Sequence, residues 1–526
     1  MANAKYADLS GLSKNVSIPV AQKIPGTNQE RNTDGGGYAY VISPWNVFDR
    51  FLILGTSSGS FYASAKDMTR YSCDVLLQLI AQDSNRVVDR IVEVSDKGLA
   101  IKNEPAIFAL ATVVANTKDA ARKYALDALS KVCRTSTHLF AFVDSYKSMG
   151  GGFGTSVRKA INAWYQSKTV DGLAYQLVKY RQRDGWTHHD VLHLSHPKAT
   201  SDEQNACFRF AKACANKDKV LELSGVPSII EGYLRASKAS DVKTVLSLIN
   251  DYKLPREAIP TQFLNDPKVW EAMLPDMPAT ALIRNLGTMS SNGLISNLSS
   301  TEKMVMDKLS NSDWLRKSRI HPISVLIASK VYANGHGMRG SNSWNVNRRI
   351  VDALQEAFYA TFDNIEPTDE VYLLGVDISG SMTMSGNVLG VEGLSAAEAA
   401  IALAMAINKQ NERSLIMGFS HKFIDLGITH KDRLDKTLQR VYRMNFGATD
   451  CSLPMRYANE KKLDIDKFVV ITDNECNTGP HASRELVKYR NERRKNSGMV
   501  VCATSATKFS IAAVSYTHLR AHETGR

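Results

Sequence analysis

The sequence predicts an all-helical repeat array followed by a C-terminal α/β domain built on a doubly wound parallel sheet. Three observations carry this. From about Ser64 the apolar residues recur three and four apart for roughly three hundred residues, with no strand pattern between them. At Glu370 the pattern changes to short, continuous apolar runs that alternate with helical segments, the signature of a parallel sheet covered on both faces. The length of 526 residues exceeds one ordinary domain, and a hydrophobic content of 44% suffices for more than one core.

Residues 1–15 read as a flexible N-terminal arm, and polar, turn-rich sequence continues to Asp34-Gly35-Gly36-Gly37. Residues 16–366 carry the helices. Helical spacing is clear in DVLLQLIAQ from Asp74, VVDRIVEVSDKG from Val87, EPAIFALATVVAN from Glu104, ARKYALDALSKVC from Ala121 and VKTVLSLINDY from Val242. Short breaks holding Gly, Pro, Asn or Asp separate such segments, as between antiparallel neighbours. No strict repeat emerges, so the array is a degenerate solenoid, whose curved stack exposes a long surface suited to an extended ligand.

Residues 367–514 form the α/β domain. VYLLGVDISGSM is a strand that ends in an acid and small polar residues. An Ala-rich helix (SAAEAAIALAMAINKQ), a strand (SLIMGFS) and a helix (RLDKTLQRVYRM) follow. Then come the loop NFGATDCSLPM, a buried strand (KFVVITDNE), a basic helix (SRELVKYRNERRKN) and a further strand (MVVCATSA). In open sheets of this kind, binding sites form beyond the carboxyl ends of the strands, which is where the polar clusters fall.

Composition excludes several classes. No apolar run reaches about 18 residues, and the first thirty residues lack the apolar centre of a signal peptide. Membrane insertion and secretion are not expected; the cytoplasm is the expected location, with the nucleus as a second. The seven cysteines are scattered and contain no C-x2-C pair, which speaks against a structural zinc site or a disulfide framework and for a reducing compartment. The net charge of +12 is unevenly spread: residues 101–250 hold 21 basic against 13 acidic side chains.

Within that stretch Arg158, Lys159, Lys168, Lys179, Arg181 and Arg183 are interrupted only by Asp171. Such a local excess is the footprint expected for a polyanion, and a solvated helix face has the same composition. Lys179 and Arg183 are four apart, so a helix would put both on one face with Arg181 extending the stripe. Cations so placed make salt-sensitive contacts to phosphates. His188, His189, His193 and His196 follow within one helix and loop; for each, capping a helix or satisfying a carbonyl is the competing role, and no Cys or acid completes a zinc set. MGGGFGTSVRKAINAWY from Met149 places a glycine run before a helix starting near Thr155. It is either a flexible turn or an amide site for phosphate beside Arg158 and Lys159, and it lacks the lysine of a Walker loop. His336 and Arg339 share a Gly-rich loop, NGHGMRGSNSW.

In the C-terminal domain Asp377, Ser379 and Ser381 form D-x-S-x-S directly after the first strand, Thr449 lies in NFGATDC, and Asp473 ends FVVITD. Two carboxylates with several hydroxyls make the all-oxygen shell that a hard divalent cation such as Mg2+ prefers. No acid cluster fits a two-metal nuclease, so no catalysis is expected. The combination resembles the metal-ion-dependent adhesion site of von Willebrand factor A domains. That resemblance implies Asp377, Ser379, Ser381 and Thr449 as direct or near-direct ligands, Asp473 as the outer carboxylate, and a protein partner that offers a carboxylate to the metal. It also calls for a further strand and helix after MVVCATSATKFSIA, where residues 515–526 lack apolar periodicity. A truncated domain, or a tail of uncertain origin, is expected there.

Three stretches of the helical half carry a second resemblance. They are YRQRDGWTHHDVLHLSHPK from Tyr180, LPREAIPTQFLNDPKVWEAMLPDMPATALIRNLG from Leu254, and IHPISVLIASKVYANGHGMRGSNSW from Ile320, followed by IVDALQEAFYATF. With the von Willebrand-type domain after them, they resemble the TROVE module of the Ro (SS-A/Ro) ribonucleoprotein family. The resemblance implies a monomeric ring of HEAT-like helical pairs closed by the C-terminal domain. It implies small noncoding RNA as the partner: Y RNAs on the basic outer rim, and misfolded RNAs such as 5S rRNA precursors whose single-stranded 3′ ends thread the central hole. Lys179, Arg183 and His196 match RNA-contacting positions of that rim, and Arg158, Lys159, Lys168, Arg181 and His188 are the further RNA-binding candidates. The expected role is RNA quality control. The competing reading is a protein-interaction scaffold that recruits through its metal site and whose basic surface is incidental.

Overall fold

The computed structural model describes residues 6–7, 18–32, 36–56, 65–100, 102–214, 225–318, 320–337, 341–362, 368–384, 394–429, 432–441 and 447–512. Most of the expected arm, the whole of the expected tail and Arg339 lie outside the described residues. The chain divides into two compact units: residues 76–357 form one, and residues 1–75 with 358–526 form the other.

The first unit is helical, as the apolar spacing predicts. Glu104–Asn116 packs against Ser136–Ser148, and Val170–Lys179 against Asp202–Ala213 and Ser228–Ser237. Ser228–Ser237 continues onto Val242–Tyr252, and Ala279–Ser291 packs on Pro322–Asn334. Each helix buries one stripe, such as Leu173, Ala174, Leu177 and Val178, or Val245, Leu248 and Ile249. Their starts are set by side chains that accept orphan amides: Thr169 from Gly172, Ser201 from Gln204 and Asp241 from Thr244. The glycine run is a packed turn rather than a loose one. Gly150 (φ 78°) follows the end of helix Ser136–Ser148, and Gly151 lies so close to the Tyr146 ring that a Cβ would sit 2.4 Å from it.

One element of this unit departs from the helical expectation. Gln182–Arg183 pairs antiparallel with Trp186–Thr187. Asp184 (φ 51°) and Gly185 (φ 79°) form the two-residue turn, both in the left-handed region that such tight hairpins require.

The second unit is an α/β fold. Its six-stranded sheet runs in the order Tyr6–Ala7, Phe423–Asp425, Leu415–Phe419, Tyr372–Asp377, Lys467–Thr472 and Gly498–Ala503. The last four are parallel, and Phe423–Asp425 runs antiparallel to both of its neighbours, Leu415–Phe419 and Tyr6–Ala7, so the sheet is mixed rather than wholly parallel. A tight reversal at residues 420–422, where the Ser420 amide donates to the Lys422 carbonyl, returns the chain at once as a hairpin instead of a crossover. Leu373, Met417, Phe419, Phe468 and Val470 share a core with Leu453, Met455, Leu486 and Tyr489. The alternate residues Leu374, Val376, Ile416, Val469 and Ile471 are buried as well, so both faces are covered.

The N-terminal residues belong to this unit although the chain passes through the whole helical unit in between. Gln29–Arg31, Tyr38–Val41 and Phe509–Ser510 form a second, three-stranded sheet. The buried Gln29 amide meets His481 Nδ1 at 3.2 Å, Tyr40 and Ser483 hydroxyls are 3.1 Å apart, and Arg50 donates to the Thr507 and Phe509 carbonyls. Among the described residues no helix is long and apolar enough to cross a membrane.

Candidate nucleic-acid interface and metal centre

The basic face is built where helix Val170–Lys179 gives way to the ribbon and then to helix His188–Ser195. Lys179 is the last helical residue, because Tyr180 leaves the helix (φ −118°, ψ 61°), and Arg183 lies in the ribbon. The expected shared helix face of Lys179 and Arg183 is therefore corrected: the Asp184-Gly185 turn, not helical periodicity, presents Arg183. Thr187 and Asp190 lock the junction. The Asp190 carboxylate accepts from the Thr187 amide at 2.9 Å and hydroxyl at 2.6 Å, and the Thr187 hydroxyl accepts from the Asp190 amide.

The cations on this face differ in their surroundings. Lys179 donates to the Tyr175 hydroxyl at 3.0 Å and lies over the Tyr175 and Tyr180 rings, 5.2 and 5.3 Å from their centroids. Burial acts to lower its pKa, but the Tyr175 hydrogen bond and the neighbouring Tyr175, Tyr180 and Glu257 outweigh it and hold the ammonium above its ordinary value. Arg183 is exposed and pairs with the adjoining Asp184 carboxylate, at 3.3 Å. Arg181 stacks on Tyr233, 5.1 Å from the ring centroid, and donates to the Tyr233 hydroxyl and the Glu257 carbonyl. Arg158 and Lys159 are exposed on helix Thr155–Gln166. Asn162 and Gln166, one and two turns beyond Arg158, donate to the Ser195 and Lys198 carbonyls, which sets that stripe beside the end of the histidine helix. Lys168 is engaged elsewhere: it lies 4.3 Å over Trp164, whose indole donates to the Cys133 carbonyl, and burial lowers its pKa.

The histidines separate by role. His189, His193 and His196 line one exposed side of the helix, with His189 stacked on His193 at 6.2 Å and His193 edge-on to His196 at 5.8 Å. His196 closes the helix in a left-handed conformation (φ 49°), its amide bonded to the Leu192 carbonyl. His188 does not fit the surface contact expected of it. Only 3% exposed, it packs edge-on against Phe140 and meets the Tyr165 hydroxyl through Nδ1 at 2.9 Å. Burial pushes its pKa down to about 3 against a smaller opposing pull from the Tyr180 carbonyl, so the ring is neutral.

The oxygen cluster lies in the C-terminal unit at the carboxyl ends of two adjacent parallel strands. Tyr372–Asp377 and Lys467–Thr472 are direct neighbours, with Val376 opposite Ile471, and the chain leaves them toward opposite sides of the sheet. Asp377 is fully buried; its carboxylate accepts from the Ser379 amide at 2.9 Å and from the Thr472 hydroxyl at 2.6 Å. Ser379 and Ser381 hydroxyls are 3.2 Å apart. Asp473 is buried beside them and accepts from the Glu475 amide. Burial first and the Asp473 charge next raise the Asp377 pKa, and burial raises that of Asp473. Thr449 is buried at the same end, its amide bonded to Asn477 while the next amide, of Asp450, donates to the Ser420 carbonyl. Two enclosed carboxylates that disfavour each other's ionisation, with hydroxyls between them, fit a small dication. Among the described residues no group of three or more His, Cys, Asp or Glu side chains could hold a metal, so a site here depends on the hydroxyls.

A TROVE domain model matches residues 31–226 and 252–370, and a Ro60 vWA domain model matches residues 371–518. The chain belongs to the Ro family. It is 38% identical to the RNA-binding protein RO60 of Deinococcus radiodurans over 492 residues, covering 92% of this chain and 90% of that one. It is 32% identical to the RNA-binding protein RO60 of Caenorhabditis elegans, covering 93% and 87%. The crystal structure of the Deinococcus radiodurans Ro (Rsr) protein aligns with a TM-score of 0.70 at 37% identity, covering 90% of this chain and 94% of that chain.

Within this Ro-family chain three features of the site escaped the sequence reading. The D-G dipeptide of a tight hairpin and the T-x-x-D of a capped helix are both present in RDGWTHHD, but the run of cations was read as one helix. Tyr175, Tyr180 and Tyr233 carried no signal, because the contacts to Lys179 and Arg181 come from three separate places in the chain. Cys451 and Cys476 meet in a disulfide, 25 residues apart, tying the Thr449 loop to the Asp473 loop. The scattered cysteines spoke against a disulfide framework, and nothing in their spacing announced this one pair.

Proposed function

We propose that this protein binds RNA through the exposed face of its helical unit, formed by Arg183 on the ribbon, the adjoining Lys179, Arg158 and Lys159, and the row His189, His193 and His196. The observation that carries the reading is the ribbon itself: a rigid turn that holds an exposed guanidinium beside a lysine kept protonated and next to a ladder of imidazoles. Phosphates are bound by such cations, and unpaired bases stack on such rings. The relatives' description as RNA-binding proteins supports it. The ligands in this reading are small noncoding RNAs, namely Y RNAs and misfolded RNAs such as 5S rRNA precursors with single-stranded 3′ ends. The role is cytoplasmic RNA quality control without catalysis.

In the same reading Asp377, Ser379, Ser381 and Thr449 hold Mg2+, with Asp473 as the outer carboxylate. The ion supplies an electrophilic position for a carboxylate of a protein partner. The scaffold alternative rests on this buried carboxylate pair alone. Filter binding with a duplex RNA bearing a single-stranded 3′ tail, beside the same duplex left blunt, separates the two. Tight binding that depends on the tail is expected. Weak binding indifferent to the tail overturns the quality-control role and favours the scaffold.

A further inference from the structure

One disulfide stands beside the oxygen cluster. Cys451 and Cys476 are bonded across 25 residues, while Cys73, Cys133, Cys207, Cys214 and Cys502 are free thiols. In the reducing compartment of the proposed role, a disulfide is transient and redox-sensing rather than a permanent staple. Its place in the fold gives it something to control. Cys451 lies two residues past Thr449 and Cys476 three residues past Asp473, so the bond joins the two loops that carry these residues of the cluster. The Thr449 amide donates to the Asn477 side chain at 2.7 Å, and its carbonyl accepts from the Asn477 and Thr478 amides at 3.2 and 3.3 Å. Those three bonds attach Thr449 to residues beyond Cys476; the disulfide attaches its loop one step nearer to Asp473. Both Asp377 and Asp473 are enclosed, and with both ionised their like charges spread the cluster until a cation arrives. A covalent tie between the loops opposes that spreading and holds the cluster ready for the cation.

We propose that Cys451 and Cys476 are a thiol–disulfide exchange site that sets the cation affinity of the neighbouring oxygen cluster, high when the pair is bonded and low when it is reduced. The inference rests on the metal reading above and gives that site a regulator. The exchange partners are a low-molecular-weight thiol and its disulfide. Cys476 is the less enclosed of the pair, 8% exposed against 1% for Cys451. Its thiolate attacks one sulfur of the small disulfide, and the small thiolate that leaves takes up the proton that Cys476 gave up. Cys451 then attacks the Cys476 sulfur of the mixed disulfide and releases the second small thiol in the same way. Two electrons and two protons have passed from the cysteine pair to the small disulfide, which leaves as two thiols. Excess small thiol runs the sequence backwards and frees the two loops from each other.

The test uses the full-length chain equilibrated with oxidised glutathione or with excess reduced glutathione. Thiols are counted by alkylation under denaturing conditions and mass spectrometry, and Mg2+ affinity is read by calorimetric titration. The oxidised chain is expected to show two fewer thiols than the reduced chain. It is expected to bind Mg2+ about tenfold more tightly, the low end of what disturbed supporting groups cost a metal site. Cys451→Ser with Cys476→Ser is expected to match reduced wild type in both conditions. Cys214→Ser, which alters an exposed thiol outside the pair, is expected to follow wild type. Equal Mg2+ affinity in oxidised and reduced wild type overturns the proposal, whether or not the double variant folds. A bond that survives excess reduced glutathione also overturns it, because the pair is then a permanent staple. If neither form binds Mg2+, the metal reading itself fails; if both bind it alike, only the redox control does.

Discussion

His188 is neutral because the fold encloses it, its pKa pushed down to about 3 from 6.5. The unfolded chain takes up a proton near pH 6.5 that the folded chain refuses. The stability this residue contributes is complete above that pH and is lost as the pH falls toward 3. His138 and His321, each pushed down to about 4 by burial, act in the same direction. Urea unfolding of the helical unit is expected to be weaker at pH 5 than at pH 7.5, with a His188 share on the order of 2 kcal/mol. His188→Gln is expected to flatten that dependence; an unchanged pH slope contradicts the burial account. Asp377 has the opposite problem, a carboxylate whose ionisation is resisted by burial and by Asp473. Asp377→Asn removes one of the two charges. At pH 8 it is expected to melt at or above wild type without divalent ions and to gain nothing from added Mg2+. A Mg2+-dependent rise equal to that of wild type refutes the metal site. The oxygen cluster was legible because D-x-S-x-S stands at a strand end, whereas the enclosure of His188 was not, since a histidine after a basic run looks the same whether it faces solvent or Phe140.

At the scale of elements, hydrophobic spacing disclosed the helices and the parallel strands because each buries its own regular stripe. It failed where a local turn outweighed the pattern. Arg183 falls on the helical spacing from Lys179, yet Asp184 and Gly185 adopt the left-handed backbone of a hairpin and end the helix. The strand Phe423–Asp425 is three residues long, too short for alternation to announce it. The N-terminal sequence was read as polar and turn-rich because the contacts that dock its two strands on the C-terminal unit reach more than 400 residues along the chain, as from Gln29 to His481 and from Val41 to Phe509. Those contacts give a prediction. Gly37 approaches the Cys476 carbonyl so closely that a Cβ would sit 2.2 Å from it, and the Val20 amide donates to the Gly479 carbonyl. A chain starting at Ser43 is expected to lose several degrees of melting temperature in the C-terminal unit, on the order of 1–3 kcal/mol for the buried polar groups of His481 and Ser483 left unpaired. Equal melting of the truncated and full chains contradicts a structural role for these strands.

Across the whole molecule the net charge of +12 is concentrated in the helical half, and the fold sorts that charge by accessibility. Arg158, Lys159 and Arg183 remain exposed, Lys179 is half-buried yet protonated, and Lys168 and Arg181 are held against aromatic rings. Composition alone gives all six equal weight, because it contains no information on which cations find aromatic partners. The division of labour expected from this sorting is that Arg183 and Lys179 meet phosphates while Arg181 stays on Tyr233. The most direct measurement is the affinity for a 3′-tailed duplex RNA across a series of salt concentrations, for wild type and for Lys179→Ala with Arg183→Ala. The account predicts weaker binding by the variant and a log K against log salt slope shallower by about 1–2, as expected when one or two phosphate contacts are lost. Unchanged affinity and slope would contradict the claim that this face binds RNA.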